Sequence, residues 1–288
     1  MASIRARLLI FASVLIIAAL AAVPARAENY ARIVSLYPGH TDNVVALGAG
    51  AKLVGISEND NEGLLPGVPR FSMKAGPEAL LALRPDLVLT RTLADSQNPE
   101  LKKVLERAGV RVEVIDPPAW EGFEQYLRKI AELAGTSPDA AVAELAKARA
   151  EIRAAAEKSS RGRRPLVFVE ATSRELHTCS PDSWAARLVE LAGGVNAAAE
   201  AKPLRSGSSI APWGLERVLK TINSGLDVYL VQQGPMNAAD EASLRARPWS
   251  SALANVRAAV VPEYCLSRPS LSGLKEGGAM LIKIFYGE

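Results

Sequence analysis

One stretch of 24 residues, Ser137 to Ser160, limits the folds open to this chain more than any other part of it. Alanine, the residue with the highest helix propensity, dominates its interior, and neither glycine nor a second proline follows Pro138. Ser137 suits the N-cap, and Pro138 suits the first helical position, where a missing N–H costs nothing. We therefore expect one uninterrupted helix of about 30 Å, which is the width of a small domain.

Both flanks of this helix alternate short apolar runs with helical patterns. The predicted strands are residues 32–36, 52–56, 86–90 and 110–115 before it, and 166–170, 227–231 and 258–261 after it. Apolar strands separated by helices indicate mostly parallel sheets covered on both faces. The predicted fold is α/β, with two Rossmann-like lobes, 28–136 and 161–288, joined by the helix over 137–160. A ligand cleft is expected between the lobes, at the carboxyl ends of the strands. The alternative is an ordinary surface helix of a single domain.

The N-terminus has the three parts of a secretory signal peptide. Arg5 and Arg7 precede an apolar run over 8–23, and Ala25-Arg26-Ala27 forms a small-x-small cleavage site. The run is short for a membrane span, so we expect a signal peptide over 1–27 that is cut after Ala27. The residue directly after the cut is Glu28 and not a cysteine, which argues against a lipoprotein anchor. The predicted location is an oxidising exported compartment, the periplasm.

Composition and missing motifs exclude several classes of function. The signal peptide carries three of the 34 basic residues and no acid, which leaves 31 basic against 31 acidic residues. A balance near zero gives no electrostatic reason to expect nucleic acid or an anionic membrane as a partner. The chain has no Gly-rich phosphate loop, zincin helix, Cys-x-x-Cys pair or GxSxG elbow. We therefore expect that the chain is not an enzyme and has no intrinsic cofactor.

Six short pieces of the mature chain, in order, carry a resemblance to a known family. They are IVSLYPGHTD (33–42), ALG (46–48), LVG (53–55), EALLALRPDLVL (78–89), LAGGVN (191–196) and RP (268–269). This pattern resembles the periplasmic binding proteins for cobalamin and ferric siderophores, the helical-backbone class of ABC transporter solute-binding proteins. The resemblance implies two α/β lobes tied by one long helix. It also implies a monomer that delivers a metal chelate to an ABC permease dimer and its ATPase. A ligand-sensing subunit for a membrane receptor is the alternative of another class.

Two glutamates are implied by the resemblance to dock the permease. Glu78 and Glu216 stand where family members place one exposed carboxylate on each lobe. One acid per lobe, a cleft width apart, can pair with symmetric arginines of a two-fold transporter. The alternative is that each carboxylate only complements the N-terminal end of its own short helix.

The ligand is predicted from the residues that replace aromatic cleft positions of cobalamin binders. Those positions fall near Asn59, Met73 (with Ser72), Arg91 and His177, and three of the four are polar or cationic here. This weakens the aromatic-walled pocket that a corrin ring prefers. An iron complex such as a ferric siderophore is therefore favoured, while cobalamin or another corrinoid, haem, and a molybdate-like oxyanion remain open.

Further cleft residues are proposed from their chemistry. Arg91 follows a predicted strand directly, where a guanidinium could bind a carboxylate, a catecholate or an oxyanion in bidentate fashion, unless it is a solvated loop residue. Lys74 and Arg268 could add positive charge. Tyr37 could stack on a ligand or coordinate ferric iron, unless it is a core-edge tyrosine. Trp213 follows a Ser-rich segment and is the tryptophan expected to face a ligand.

Two cysteines leave several interpretations open. A disulfide between Cys179 and Cys265 is the default in an oxidising compartment. Reduced, the two thiols could instead bind a soft metal or haem together with His177, which lies two residues before Cys179. A third interpretation makes Cys179 a nucleophile with His177 as its base, but no orienting carboxylate or oxyanion-hole signature supports it. The remaining interpretation is a pair of buried free thiols.

Overall fold

The computed structural model describes residues 29–287, so the predicted signal peptide and its cleavage site lie outside the described residues. Before the long helix, five strands form one parallel sheet with the order β3-β2-β1-β4-β5. The strands are β1 (Ile33–Ser35), β2 (Leu53–Ser57), β3 (Arg70–Phe71), β4 (Leu87–Thr90) and β5 (Arg111–Val114). In a parallel sheet all carboxyl ends lie at one edge, so the loops after β1 and β4 are neighbours.

Five helices cover this sheet. They are α1 (Pro38–Ala46), α2 (Pro77–Leu81), α3 (Thr92–Gln97), α4 (Pro99–Arg107) and α5 (Phe123–Ala134). Proline occupies the first turn of α1, α2 and α4, where its fixed φ favours helix initiation. The first helix begins at Pro38, directly after Tyr37.

The long helix is present as α6 (Asp139–Ser160), a single helix of 22 residues. It begins two residues later than predicted, because the Ser137 hydroxyl bonds the side chain and backbone N–H of Asp139 while Pro138 occupies the N-cap. Its buried face consists of small and branched residues spaced three or four apart: Ala141, Leu145, Ala148, Ile152 and Ala156. This spacing matches the helical period, so one stripe of α6 lies in the core along its whole length.

After α6, six strands form a mixed sheet with the order β11-β10-β6-β7-β9, and β8 pairs with β6. The strands are β6 (Leu166–Thr172), β7 (His177–Cys179), β8 (Val195–Asn196), β9 (Ile210–Ala211), β10 (Val228–Gln233) and β11 (Arg257–Pro262). The helices are α7 (Trp184–Leu191), α8 (Leu215–Asn223), α9 (Glu241–Arg245), α10 (Glu263–Leu266) and α11 (Leu271–Tyr286). The sheet is parallel from β6 to β11, but β7 pairs antiparallel with both β6 and β9.

Two helices join the lobes through one continuous core. The largest apolar cluster contains N-terminal residues such as Phe123, α6 residues such as Leu145 and Ile152, and C-terminal residues such as Leu274. Gly278 of α11 lies directly against Ile152, and a β-carbon at Gly278 would overlap that side chain. The two lobes therefore share a packed spine of α6 and α11 and not a free linker. Within residues 29–287, no helix combines the length and apolar character needed to cross a bilayer.

Candidate functional site

Tyr37 and Arg91 form a stacked pair at the carboxyl ends of two neighbouring strands. Ser35 of β1 pairs with Leu89 of β4. Tyr37 and Arg91 each lie two residues beyond these partners, so they stand at the same level past the ends of the two strands. The Arg91 guanidinium lies 4.6 Å from the centre of the Tyr37 ring. The ring folds back over Gly39, where a β-carbon would overlap it, so a larger residue at this position would displace the ring. Burial, reinforced by the charge of Glu263, raises the pKa of the Tyr37 phenol above its ordinary value.

A cluster of charged residues joins the two lobes beside this pair. The Arg268 Nη2 donates to Glu263 Oε2 at 2.7 Å, and the same nitrogen is 3.5 Å from the Asn59 carbonyl of the N-terminal lobe. Arg268 Nη1 lies 3.8 Å from Asp42 Oδ2. We call Asp42, Glu263 and Arg268 the interlobe cluster. Arg268 was predicted to offer its charge to a ligand, but it is buried between two carboxylates, so its charge is already balanced within the protein.

Neutral hydrogen bonds reinforce the same junction. The Asn43 side-chain amide donates to the Gly39 carbonyl at 2.6 Å and to the Pro269 carbonyl at 3.0 Å. Its oxygen accepts from the Leu271 N–H at 3.3 Å, at the start of α11. One buried side chain on α1 therefore fixes the entry to α11, and it stays bonded whatever the protonation state of the interlobe cluster.

Two buried carboxyl groups on the N-terminal side have raised pKa values. Burial raises the pKa of Asp42 to about 6, against the opposing charge of Arg268. Burial also raises the pKa of Asp60 to about 6, although the Thr41 hydroxyl and the Ser57 N–H donate to its Oδ2 at 3.0 and 2.8 Å. Its other oxygen is buried and has no hydrogen-bond partner among the described residues, so desolvation of the charged form dominates.

The raised pKa of Asp60 predicts that the free energy of unfolding depends on pH, and an Asp60→Asn variant should lack this contribution. Between the ordinary value of 3.8 and about 6, the folded protein binds more protons than the unfolded chain at this site. The contribution of Asp60 to stability is therefore present at low pH and lost as the pH rises through 6. From pH 7.5 to pH 5, the wild type should gain about 1 kcal/mol of unfolding free energy relative to Asp60→Asn. Urea unfolding of both proteins at the two pH values measures this difference, and an unchanged difference would contradict it.

His40 is a structural residue. Its Nδ1 lies 2.6 Å from the Tyr126 hydroxyl and its Nε2 lies 3.1 Å from the Thr90 carbonyl. The carbonyl can only accept, which assigns the proton to Nε2 and makes Nδ1 the acceptor of the tyrosine O–H. Burial lowers the pKa of His40 to about 4, so the ring is neutral and both nitrogens are used.

Two candidates of the C-terminal lobe lie at strand ends: His177 is paired with Thr172 at the carboxyl end of β6, and Trp213 follows β9. His177 is half-buried at the start of β7, with its Nε2 3.3 Å from Glu175 Oε2. Trp213 was expected to face a ligand, but it is 8% exposed and packs in the second core cluster with Phe168. Trp213 follows β9, which pairs with β7, and its contact with a ligand stays a prediction.

The structure also corrects the cysteine predictions. Cys179 and Cys265 are free, buried thiols, so the predicted disulfide is not formed. Burial raises the pKa of each thiol to about 11, which disfavours the thiolate that a nucleophile or a metal ligand requires. Within residues 29–287, no group of three or more His, Cys, Asp or Glu side chains is arranged to hold a metal ion, so the suggested site with His177 is absent.

Met73 and Lys74 lie in the turn between β3 and α2, which the Ala75 N–H closes on the Ser72 carbonyl at 2.9 Å. Met73 is half-buried and Lys74 is exposed. The predicted residues that the structure brings to one place are therefore Tyr37, Arg91, the Asn59 backbone and Arg268.

Sequence reasoning missed two acids. Glu263, on the other side of Arg268, follows β11 and has no distinguishing pattern around it. Glu170 is fully buried inside β6 and bonded by Arg247, Tyr229 and Asn237. An acid within the otherwise apolar run LVFVE was a usable signal, because a buried carboxylate requires a partner.

A groove of about 560 Å³ lies elsewhere, between the C-terminal half of α6, α7 and Trp120. None of the predicted site residues lines it. No residue that directly follows β1 or β4 lines the groove, so we place the candidate site at the Tyr37–Arg91 pair, where ligands of α/β sheets usually bind.

The comparison that decides the family covers three quarters of the chain. Residues 33–248 match the family described as periplasmic binding protein. The chain belongs to the periplasmic binding protein family. The two sheets on either side of one long helix are the two-lobed arrangement expected from the resemblance, and this expectation is confirmed.

Individual family members are distant in sequence. An uncharacterized ABC transporter substrate-binding lipoprotein, YvrC of Bacillus subtilis, is 28% identical over 59% of this chain and 56% of its own length. A vitamin B12-binding protein of Vibrio campbellii is 28% identical over 57% of this chain and 60% of its own length. The matches thus span less than two thirds of these two relatives. A crystal structure of a periplasmic heme binding protein from Pseudomonas aeruginosa superposes with a TM-score of 0.71 at 22% identity, covering 90% of this chain and 94% of that one.

The two glutamates implied by the family resemblance occupy equivalent places in the lobes. Glu78 lies in the first turn of α2 and Glu216 in the first turn of α8, and both side chains are exposed. Each helix follows a glycine N-cap, Gly76 or Gly214, and neither cap offers a side chain. Each carboxylate therefore complements the positive end of its own helix and remains available to a partner.

Proposed function

We propose that the chain binds a metal chelate between its lobes, 28–136 and 161–288, and delivers it to the permease of an ABC importer. The observation that carries this proposal is the Tyr37–Arg91 pair at the carboxyl ends of β1 and β4. No carboxylate among residues 29–287 forms an ion pair with Arg91. A guanidinium held on a tyrosine ring, without an acid of its own, is preorganised for an anionic ligand.

The chemistry of the pair favours an iron complex with anionic groups. One face of the guanidinium lies on the ring, which leaves its N–H edge for a bidentate contact with a carboxylate, a catecholate or an oxyanion. The exposed Lys74 adds a second positive charge in the same lobe. A ferric siderophore is the leading ligand, and haem, cobalamin or another corrinoid, and a molybdate-like oxyanion are the alternatives. Relatives named for vitamin B12 and heme support a chelate of this general kind.

The proposal is tested first on protein purified from the periplasm of its own host. A visible absorbance spectrum and native mass spectrometry should show one bound metal complex. With a ferric tris-catecholate as titrant, Arg91→Gln should weaken binding at least about 10-fold relative to the wild type, as expected for loss of a charge-assisted contact. Arg107→Gln, an exposed arginine at the end of α4, is the control and should bind like the wild type. A protein that carries no ligand and binds no metal chelate would overturn the proposal.

The proposed partner is the permease dimer with its ATPase, contacted through Glu78 and Glu216. We expect Glu78→Ala combined with Glu216→Ala to leave chelate affinity unchanged, because both side chains lie on exposed first turns of helices away from the Tyr37–Arg91 pair. Stimulation of the reconstituted transporter ATPase should fall at least about 10-fold, because both charge pairs are lost. Glu100→Ala with Glu106→Ala, two exposed acids of α4, is the matched control. Unchanged stimulation in the first variant would rule out this docking mode.

The proposed location is the periplasm, reached through a signal peptide cut after Ala27. The YvrC relative is named as a lipoprotein, whereas the residue directly after the proposed cut in this chain is Glu28 and not a cysteine. Intact mass of the mature protein distinguishes a free N-terminus at Glu28 from a lipid-modified one.

A further inference from the structure

A tight turn at the end of β10 is held rigidly from both sides. Gly234 and Asn237 exchange two backbone hydrogen bonds of 2.9 Å each, which closes the turn over Pro235 and Met236. The Asn237 side chain is buried and donates to Glu170 Oε1 at 3.2 Å. Its oxygen accepts from the Ala239 N–H at 3.2 Å, so the turn is fixed to β6 and to the following segment.

The turn lies beside the interlobe cluster. A β-carbon at Gly234 would come within 2.6 Å of the Glu263 β-carbon, so the Gly234 backbone packs directly against the Glu263 side chain. Glu263 in turn bonds Arg268, which reaches the Asn59 carbonyl of the other lobe. The charge of Glu263 also raises the pKa of the Tyr37 phenol, which places that ring within electrostatic reach of Glu263. The turn therefore stands on the C-terminal lobe at the same junction as Tyr37 and Arg91.

The tip of the turn presents an apolar side chain to solvent. Met236 is 57% exposed, the largest value among the exposed large apolar side chains of the described residues. A flexible methionine would ordinarily cover apolar surface, and thioethers adapt well to the shape of a bound partner. Here the backbone beneath Met236 is fixed, while more than half of the side chain is open to solvent.

We propose that Met236 forms the apolar wall of the ligand cleft, facing the Tyr37–Arg91 pair. This inference rests on the proposed function and narrows the substrate class to a metal chelate with an anionic edge for Arg91 and an apolar face for Met236. Arg91 alone would accept a small oxyanion, but an oxyanion has no apolar surface to bury against a thioether. The two sides of the cleft together fit an aromatic or macrocyclic organic chelate of iron or a similar metal.

The test compares three probes and three variants. The probes are haemin, which has an apolar face and carboxylates, a ferric tris-catecholate, and ferric citrate, which has no apolar face. Titrations followed by tryptophan quenching compare the wild type with Met236→Ala, Met236→Leu and Leu204→Ala. Leu204 is 54% exposed on the same lobe and lies outside the contacts described above, so it controls for loss of exposed apolar surface.

We expect Met236→Ala to weaken the tighter of haemin and the tris-catecholate at least about 10-fold, as expected for losing a buried methionine contact. Met236→Leu should restore most of the affinity, and Leu204→Ala should not change it. Ferric citrate should bind more weakly and be unaffected by any variant. If Met236→Ala binds every probe like the wild type, or ferric citrate binds tightest, the inference is overturned while chelate binding stands. If the wild type binds none of the three, this inference is overturned, and the proposed function is overturned with it when protein from its own host also carries no bound metal complex.

Discussion

Replacing Arg247 with alanine should lower the free energy of unfolding by about 3–5 kcal/mol, the usual cost of removing one partner from a buried ion pair. Glu170 is completely buried, and Arg247 contacts both of its oxygens, with Nη2 donating to Oε1 at 2.7 Å. The Tyr229 hydroxyl donates to Oε2 at 2.6 Å, and Asn237 donates to Oε1. Without Arg247, the carboxylate would keep two neutral donors but would lose its only buried counterion in the described residues.

The matched control is Arg245→Ala, two residues earlier. Arg245 forms an ion pair with Glu241 along α9, but their side chains are 76% and 69% exposed. Exposed i,i+4 pairs contribute about 0.3–0.5 kcal/mol, so this variant should unfold almost like the wild type. Urea unfolding followed by tryptophan fluorescence measures both. Equal losses in the two variants would show that burial of the Glu170 pair has no energetic consequence.

Gly277→Ala is expected to destabilise the protein by about 3 kcal/mol or more, the upper range of overpacking in a core. A β-carbon at Gly277 would overlap the carbonyl oxygen of Cys265, which belongs to the backbone of α10 and cannot rotate away. Helix propensity alone gives the opposite sign, because alanine is about 1 kcal/mol better than glycine inside a helix. The sign of the measured change therefore distinguishes close packing of α10 and α11 from intrinsic helix preference.

Ala279→Gly is the reference for propensity in the same helix. Ala279 is exposed, so this change removes a β-carbon that packs against nothing and should cost about 1 kcal/mol. Thermal unfolding of both variants by circular dichroism is sufficient. If Gly277→Ala raised the melting temperature, the close contact between α10 and α11 would be refuted.

Local sequence patterns predicted the elements that depend on neighbouring residues. The helix over 139–160 was predictable because its alanine content, missing glycines and capping residues all act within a few residues. The strands β1, β4, β6 and β10 were predictable from short apolar runs. The positions of Tyr37 and Arg91 also followed, since each comes just after such a run. Their stacking is a consequence of parallel register.

The remaining features depend on contacts between distant parts of the chain. Arg268 meets Asn59 and Asp42 across more than 200 positions, so nothing near Arg268 in the sequence shows that its charge is neutralised. Trp213 follows a Ser-rich segment typical of a loop, yet the antiparallel edge β7–β9 turns it into the core. The strands β7 and β9 have three and two residues, which is too short to produce a recognisable periodic pattern in the sequence.

The two buried thiols allow local unfolding of this protein to be followed by chemical labelling. A thiol with a pKa of about 11 and no access to solvent reacts with neither oxidants nor alkylating reagents while the fold is intact. Cys179 lies in β7 and is covered by the edge strand β9, whereas Cys265 packs against Gly277 of the last helix, so each is exposed by a different local fluctuation. The labelling rates of Cys179 and Cys265 would show which of the two regions opens more often, without any engineered probe.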